Sequence, residues 1–204
     1  MFSFLPCRFV RHIRSVILAM GLSVSSVPAQ ALQLAGVEVA DHAWMAGASL
    51  TLNGSGVRRM FGFRVYVAAL YLALPAREPG LVLERDLPRR LQVILLRDTS
   101  TDQNLEALKC GLEDNNSAAE MEAIKPEVTR FLALLRQVHE VPAGTMIQFD
   151  YLPGRGTHTR IGNHDLGIIP GELFNRALLK IWLGDHPIQF SLKQSLLGLD
   201  GPTL

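Results

Sequence analysis

Only two cysteines occur in the 204 residues, Cys7 and Cys110. Cys7 lies in an N-terminal stretch that reads as a leader, so the remaining chain can form no internal disulfide. Long apolar runs are missing as well. The "VILAMGLSVSSV" stretch is about a dozen residues, short of the roughly 20 that a spanning helix needs. No G-x-S-x-G turn is present, which removes the usual nucleophile elbow. The histidines lack a metal spacing such as H-x3-H. An excess of basic charge is missing too: 20 Lys+Arg stand against 19 Asp+Glu. If Arg8, Arg11 and Arg14 leave with the leader, 17 remain against 19, a net charge of −2. That excludes nucleic acid as the natural partner, because phosphate binding needs a basic face.

The leader is legible in what is there. Three arginines without an acidic residue precede the short apolar core, and Ala29-Gln30-Ala31 supplies a small-x-small cleavage pattern. Cys7 precedes the apolar core, so it is not a lipid-carrying cysteine at the cleavage point. Residues 1–31 therefore read as a signal peptide cleaved after Ala31. The expected product is an exported, soluble, periplasmic protein with no integral membrane segment. Residues 32–204 suit one domain with enough buried surface to fold alone.

After Ala31, "LAGVEVA" and "WMAGASLTLNGSG" read as strands joined by a polar turn. "FRVYVAALYL" reads as a longer strand, "LPAREPG" as a loop, and "RRLQVILL" as a fourth strand. Helical texture follows. Ser100 with Gln103, and Ser117 with Glu120, have the spacing of capping boxes. Pro126 suits the first turn of a helix striped by Val128, Phe131, Leu132, Leu135 and Val138. "TMIQFDYL" and "THTRI" return to strand, and "LGIIPG" leads into "ELFNRALLKIWL". "SLKQSLLG" closes the chain as a short helix. Strands, then helices, then a hairpin, then helices is an α+β order.

Most residues with chemical potential have a plain structural reading. Gly54 and Gly56 mark a turn or bulge, with an ordinary hairpin turn as the default; they are not a phosphate loop, because a strand follows them. Cys110 reads as a small packed thiol beside Leu108 and Leu112. His158, His164 and Asp165 read as exposed hairpin side chains. Trp182, Phe174, Leu178 and Ile181 form a helical stripe expected in the core. Arg155 sits in a solvated turn.

Three stretches, "LNGSGVRRMFGFRVYVAALYL", "DYLPGRGTHTRI" and "IPGELFNRALLKIWLGDHPIQFSLKQSLLG", resemble the chalcone isomerase-like family, in particular its exported bacterial branch. The resemblance runs roughly from Leu34 to Gly198. It implies an open-faced β-sandwich, a large antiparallel sheet covered by a layer of helices, with a ligand cleft between them. One branch of that family closes a chalcone into a flavanone; another binds fatty acids without catalysis. Both use an arginine that falls here on Arg58. The resemblance gives it either a developing oxyanion to stabilise or a carboxylate to hold. Tyr66 falls where the plant enzyme has a threonine and implies a second donor. Laying "ILLRDTSTDQNLEALKC" on the enzyme's segment puts Asp102 at its tyrosine and Lys109 at its asparagine, which speaks against cyclisation.

The leading expectation is thus a binding module for a small amphipathic carboxylate, such as a fatty acid, held by Arg58 and Tyr66. An isomerase (intramolecular lyase) of the chalcone isomerase type acting on an enone or phenolic substrate, with Arg58 as its catalytic electrophile, is the alternative. A third reading is a partner-binding protein whose cleft is vestigial and fully packed. No cofactor and no metal are expected.

Overall fold

The structure, a computed structural model, describes residues 32–200. The expected signal peptide, residues 1–31, lies outside the described residues. The strands are β1 (Leu32–Leu34), β2 (Val37–Val39), β3 (His42–Met45), β4 (Ala48–Met60), β5 (Phe63–Leu72), β6 (Arg89–Leu95), β7 (Thr99–Ser100), β8 (Glu140–Val141), β9 (Met146–Leu152), β10 (Gly156–Ile161) and β11 (His164–Ile169). The helices are α1 (Pro79–Glu84), α2 (Thr101–Asn115), α3 (Ala118–Ala123), α4 (Lys125–Leu135), α5 (Glu172–Leu183) and α6 (Phe190–Leu196).

Seven strands form one antiparallel sheet in the order β11-β10-β9-β6-β5-β4-β3. The small β1–β2 and β7–β8 pairs stand apart from it. Strand β5 shows how the layers arise. Successive side chains point to opposite faces. Ala68, Leu70 and Leu72 meet the helices, while Val67, Ala69 and Tyr71 meet the β1–β2 hairpin. A strand covered on both sides needs an almost continuous apolar run, and "VYVAALYL" supplies it. Over the helix side lies α5, whose Phe174, Leu178, Ile181 and Trp182 are buried as expected. Phe131 of α4 packs edge-on against both Phe149 and Phe174.

Both capping boxes form, at Ser100/Gln103 and Ser117/Glu120, and Pro126 sits in the first turn of α4. Several expectations need correction. Gly54 and Gly56 are not in a turn; they lie inside β4, just after a bulge at Asn53. A Cβ on Gly54 would collide with the Ser195 carbonyl oxygen, and one on Gly56 would meet Ser195 and Leu192. The missing side chains let α6 lie directly on the strand. The hairpin turn comes later, at Phe61 and Gly62, both with positive φ (50° and 81°). "REPG" is not all loop, because Pro79 opens α1. "LGII" belongs to strand β11.

The far end of the helix-side core is polar. Arg89 is buried there; its Nε donates to Asn175 Oδ1 at 2.7 Å and its Nη1 to the Val82 and Arg85 carbonyls. Its guanidinium lies 4.5 Å from the centre of the Tyr151 ring. On the opposite face of the sheet, Asp150 accepts a two-pronged bond from Arg90 and a third from Arg160.

Candidate functional site

A cleft of about 90 Å³ opens between sheet and helices. Its floor is Tyr66 of β5, Val93 and Leu95 of β6, and Ile147 and Phe149 of β9. Asn104, Ala107 and Leu108 of α2, with Ile181 and Trp182 of α5 and Ile188, form the roof. The lining is apolar apart from three groups: the Tyr66 hydroxyl, the Trp182 indole N–H and the Asn104 amide. Among the described residues no carboxylate, imidazole, thiol or amine lines it.

Tyr66 ends the even-numbered row of β5, on the same face as Ala68, Leu70 and Leu72. Its hydroxyl accepts a bond from Trp182 Nε1 at 3.0 Å. Burial pushes its pKa up to about 12, against the pull of the Trp182 bond and the Arg58 charge. The phenol is therefore neutral at physiological pH. Its oxygen is engaged by the indole, which leaves its own proton free to donate to a ligand.

Arg58 faces Tyr66 directly across the β4–β5 ladder. The structure brings the two expected site residues together, but in different places. Tyr66 lines the cleft, whereas Arg58 is half-buried beside it and is not one of the lining residues. Arg58 Nη1 donates to Gln189 Oε1 at 3.1 Å and to the Arg59 carbonyl at 2.6 Å. Its Nε and Nη2 meet no other described protein group and stay available. A guanidinium at the mouth of an apolar strand is thus neither buried nor unpaired; a neutral amide holds it at the surface.

Gln189 was not legible as a site residue. It precedes α6 and reaches β4 across 131 positions of sequence. Its Oε1 also accepts from the Arg59 amide at 2.8 Å, and its Nε2 donates to the Val57 carbonyl at 3.4 Å. Beyond Thr51, no strand among the described residues pairs with the outer side of β4. The Gln189 amide stands where the peptide group of such a strand would be. Arg59 itself is exposed and lines a separate recess of about 410 Å³ with Arg64, Gln33 and Asp200.

Asp102 and Lys109 do not face the cleft; both are exposed. At about 100° per residue, the α2 face that carries Asn104, Ala107 and Leu108 turns 102 and 109 outward. The argument against cyclisation that rested on these two residues falls away. Cys110 is corrected in the same way. It is exposed, two residues from both Leu108 and Leu112, and its thiol is held up in pKa by a hydrogen bond to Glu106. His164 is exposed, but His158 is half-buried and bonds Asp165 at 2.6 Å, which lowers the pKa of that carboxyl. Among the described residues no group of three His, Cys, Asp or Glu could hold a metal. No helix among them is long and apolar enough to cross a membrane.

A family model described as chalcone isomerase-like matches residues 31–198. Among solved structures, a fatty-acid binding protein of Arabidopsis thaliana superposes with a TM-score of 0.66 at 15% identity. The match covers 82% of this chain and 96% of the plant chain. At that identity the likeness concerns the fold alone. No curated protein sequence matches the chain.

Proposed function

This chain belongs to the chalcone isomerase-like family, and from that premise we propose that it binds a small amphipathic carboxylate, such as a fatty acid, without transforming it. The observation that carries this reading is the lining of the cleft. It offers apolar surface and neutral donors, and no group that titrates near neutrality to move a proton. In this reading Arg58 and the Tyr66 hydroxyl meet the carboxylate at the rim, and the tail runs under α2. Ten buried methylenes contribute up to about 8 kcal/mol, against about 1.5–3 for a charged head contact. The apolar cleft then supplies affinity and Arg58 fixes orientation.

Size adds a condition. A cavity of about 150 Å³ accommodates benzene, and this cleft holds about 90 Å³. An acyl tail enters only if the roof gives way. Helix α2 is suited to that, since Leu112 is its one fully buried residue and Leu105 and Leu108 are half-covered. Moving its first three turns outward would uncover half-covered Leu105 and Leu108 and break the Thr101 bonds to the Val138 and His139 carbonyls, but would leave the buried Leu112 in place.

Calorimetric titration of palmitate into purified variants tests the reading. Arg58→Ala is expected to weaken binding at least tenfold, the lower end of a charged hydrogen bond. Arg58→Lys keeps the charge but loses the planar fork, so it falls between. Arg59→Ala leaves binding unchanged. Equal affinity for wild type and Arg58→Ala would falsify the assignment. Chalcone turnover that disappears with Arg58→Ala would replace binding by isomerisation. We propose further that residues 1–31 are removed on export and that the chain works in the periplasm, because its Arg-rich start, short apolar core and Ala29-Gln30-Ala31 form an export leader. N-terminal sequencing of periplasmic protein should then begin at Leu32; a retained Met1 overturns it.

A further inference from the structure

The tip of the β4–β5 hairpin is unlike the rest of the surface. Phe61 is 91% exposed, Phe63 63% and Met60 46%, three large apolar side chains in four residues. Among the described residues no helix or other strand covers them. Phe61 also occupies a left-handed turn position (φ 50°), where asparagine or glycine is the favoured residue. A bulky aromatic here costs local stability and gains no packing within the molecule. Such an exposed apolar patch marks a contact with something outside.

Charge says what that something is. Residues 58–64 read Arg-Arg-Met-Phe-Gly-Phe-Arg, with three arginines and no carboxylate. Arg59 and Arg64 are opposite each other in the ladder, one step behind the Met60–Phe63 pair, so they flank the tip. Arg97 joins them, its guanidinium 5.3 Å from the centre of the Phe63 ring. Among the described residues none of Arg58, Arg59, Arg64 and Arg97 forms a salt bridge. Of the nearby carboxylates, Asp98 is turned to the Ala143 amide, and Asp200, which shares a recess with Arg59 and Arg64, accepts from the Ser195 hydroxyl. A projecting apolar tip with a collar of unpaired arginines is complementary to a bilayer that has anionic headgroups above an apolar interior. The rings enter the acyl boundary, and the guanidinium groups remain at the level of the phosphates. A groove would fit a helix or peptide, but this tip is convex.

We propose that the β4–β5 hairpin docks the protein on anionic membrane surfaces, with Phe61 and Phe63 as the inserting residues and Arg59, Arg64 and Arg97 as the phosphate-binding collar. The cleft lies at the same end of the sheet. Tyr66 is three residues from Phe63 on β5, and Arg58 is two from Met60 on β4. Docking by the tip therefore brings the cleft mouth close to the lipid surface.

The test is co-sedimentation of the full chain with vesicles of phosphatidylcholine, with or without phosphatidylglycerol. Residues 1–31 are common to every variant, so differences between variants report the tip. Wild type is expected to bind the phosphatidylglycerol vesicles and to release as salt rises. The double variant F61S/F63S should bind at least about tenfold more weakly. R59Q/R64Q should lose about fivefold per arginine. Palmitate affinity should persist in both, since none of these side chains lines the cleft; this separates failure of docking from failure of the binding reading. In F61W, the new indole emission should shift to the blue on phosphatidylglycerol vesicles and not on phosphatidylcholine alone. Equal binding by wild type and F61S/F63S, or an unshifted F61W, overturns the proposal. So does a vesicle-free dimer that F61S/F63S dissociates, which would make the tip a contact between two copies.

Discussion

The bond between Tyr66 and Trp182 is the place where stability and the site meet. Trp182 is buried, and its indole N–H has the Tyr66 hydroxyl as its acceptor. Tyr66→Phe removes that acceptor and keeps the ring. A buried donor left without a partner costs about 1–3 kcal/mol. Urea unfolding followed by circular dichroism should show a lower midpoint with an unchanged slope. An unchanged midpoint would mean that water replaces the hydroxyl. Spacing alone placed Trp182 correctly in the core stripe, but periodicity gives a face and not a hydrogen bond. Gln189 carried no signal at all. Its role depends on the path of the loop from Gly184 to α6, which no local pattern records.

At the scale of elements, legibility followed covering. Strand β5 was readable because both its faces are buried from Val67 to Leu72, and β-branched and aromatic residues carry the pattern through its exposed start at Phe63 and Arg64. Helices α2 and α3 were readable from their caps, since Ser with Gln or Glu three residues on satisfies end groups by local chemistry. Strand β11 was hidden because it starts with exposed His164 and Asp165 and carries Gly167 at φ 78°. Helix α1 is only six residues long and begins at a proline, which reads as a loop until Val82 and Leu83 are seen to be buried. The Gly54–Gly56 pair misled for a physical reason. Glycine allows turns, but it also allows close approach, and only the position of α6 tells which freedom is used. The site followed the same rule. Arg58 and Tyr66 share a face because the β4–β5 register sets them directly opposite each other, which alternation along either strand alone does not give, whereas the turn of α2 carries Asp102 and Lys109 away from the cleft.

The whole molecule has two unlike ends. One carries the cleft, the loosely held part of α2 and the arginine-rich hairpin. The other carries the buried Arg89 cluster, in which Asn175, Tyr151, Asp86 and two carbonyls fix a charge in place. Between them, Phe131, Phe149, Phe174 and Trp182 form a packed aromatic centre. The Gln189 amide, finally, does more than steady Arg58. An unpaired strand margin is a template on which another copy of the same chain can polymerise. By occupying the Val57 carbonyl and the Arg59 amide, Gln189 blocks that template in the middle of its free length. Gln189→Ala should therefore leave a folded monomer at first and then give thioflavin-positive aggregates faster than wild type. Identical aggregation kinetics for the two proteins would show that the margin is guarded elsewhere.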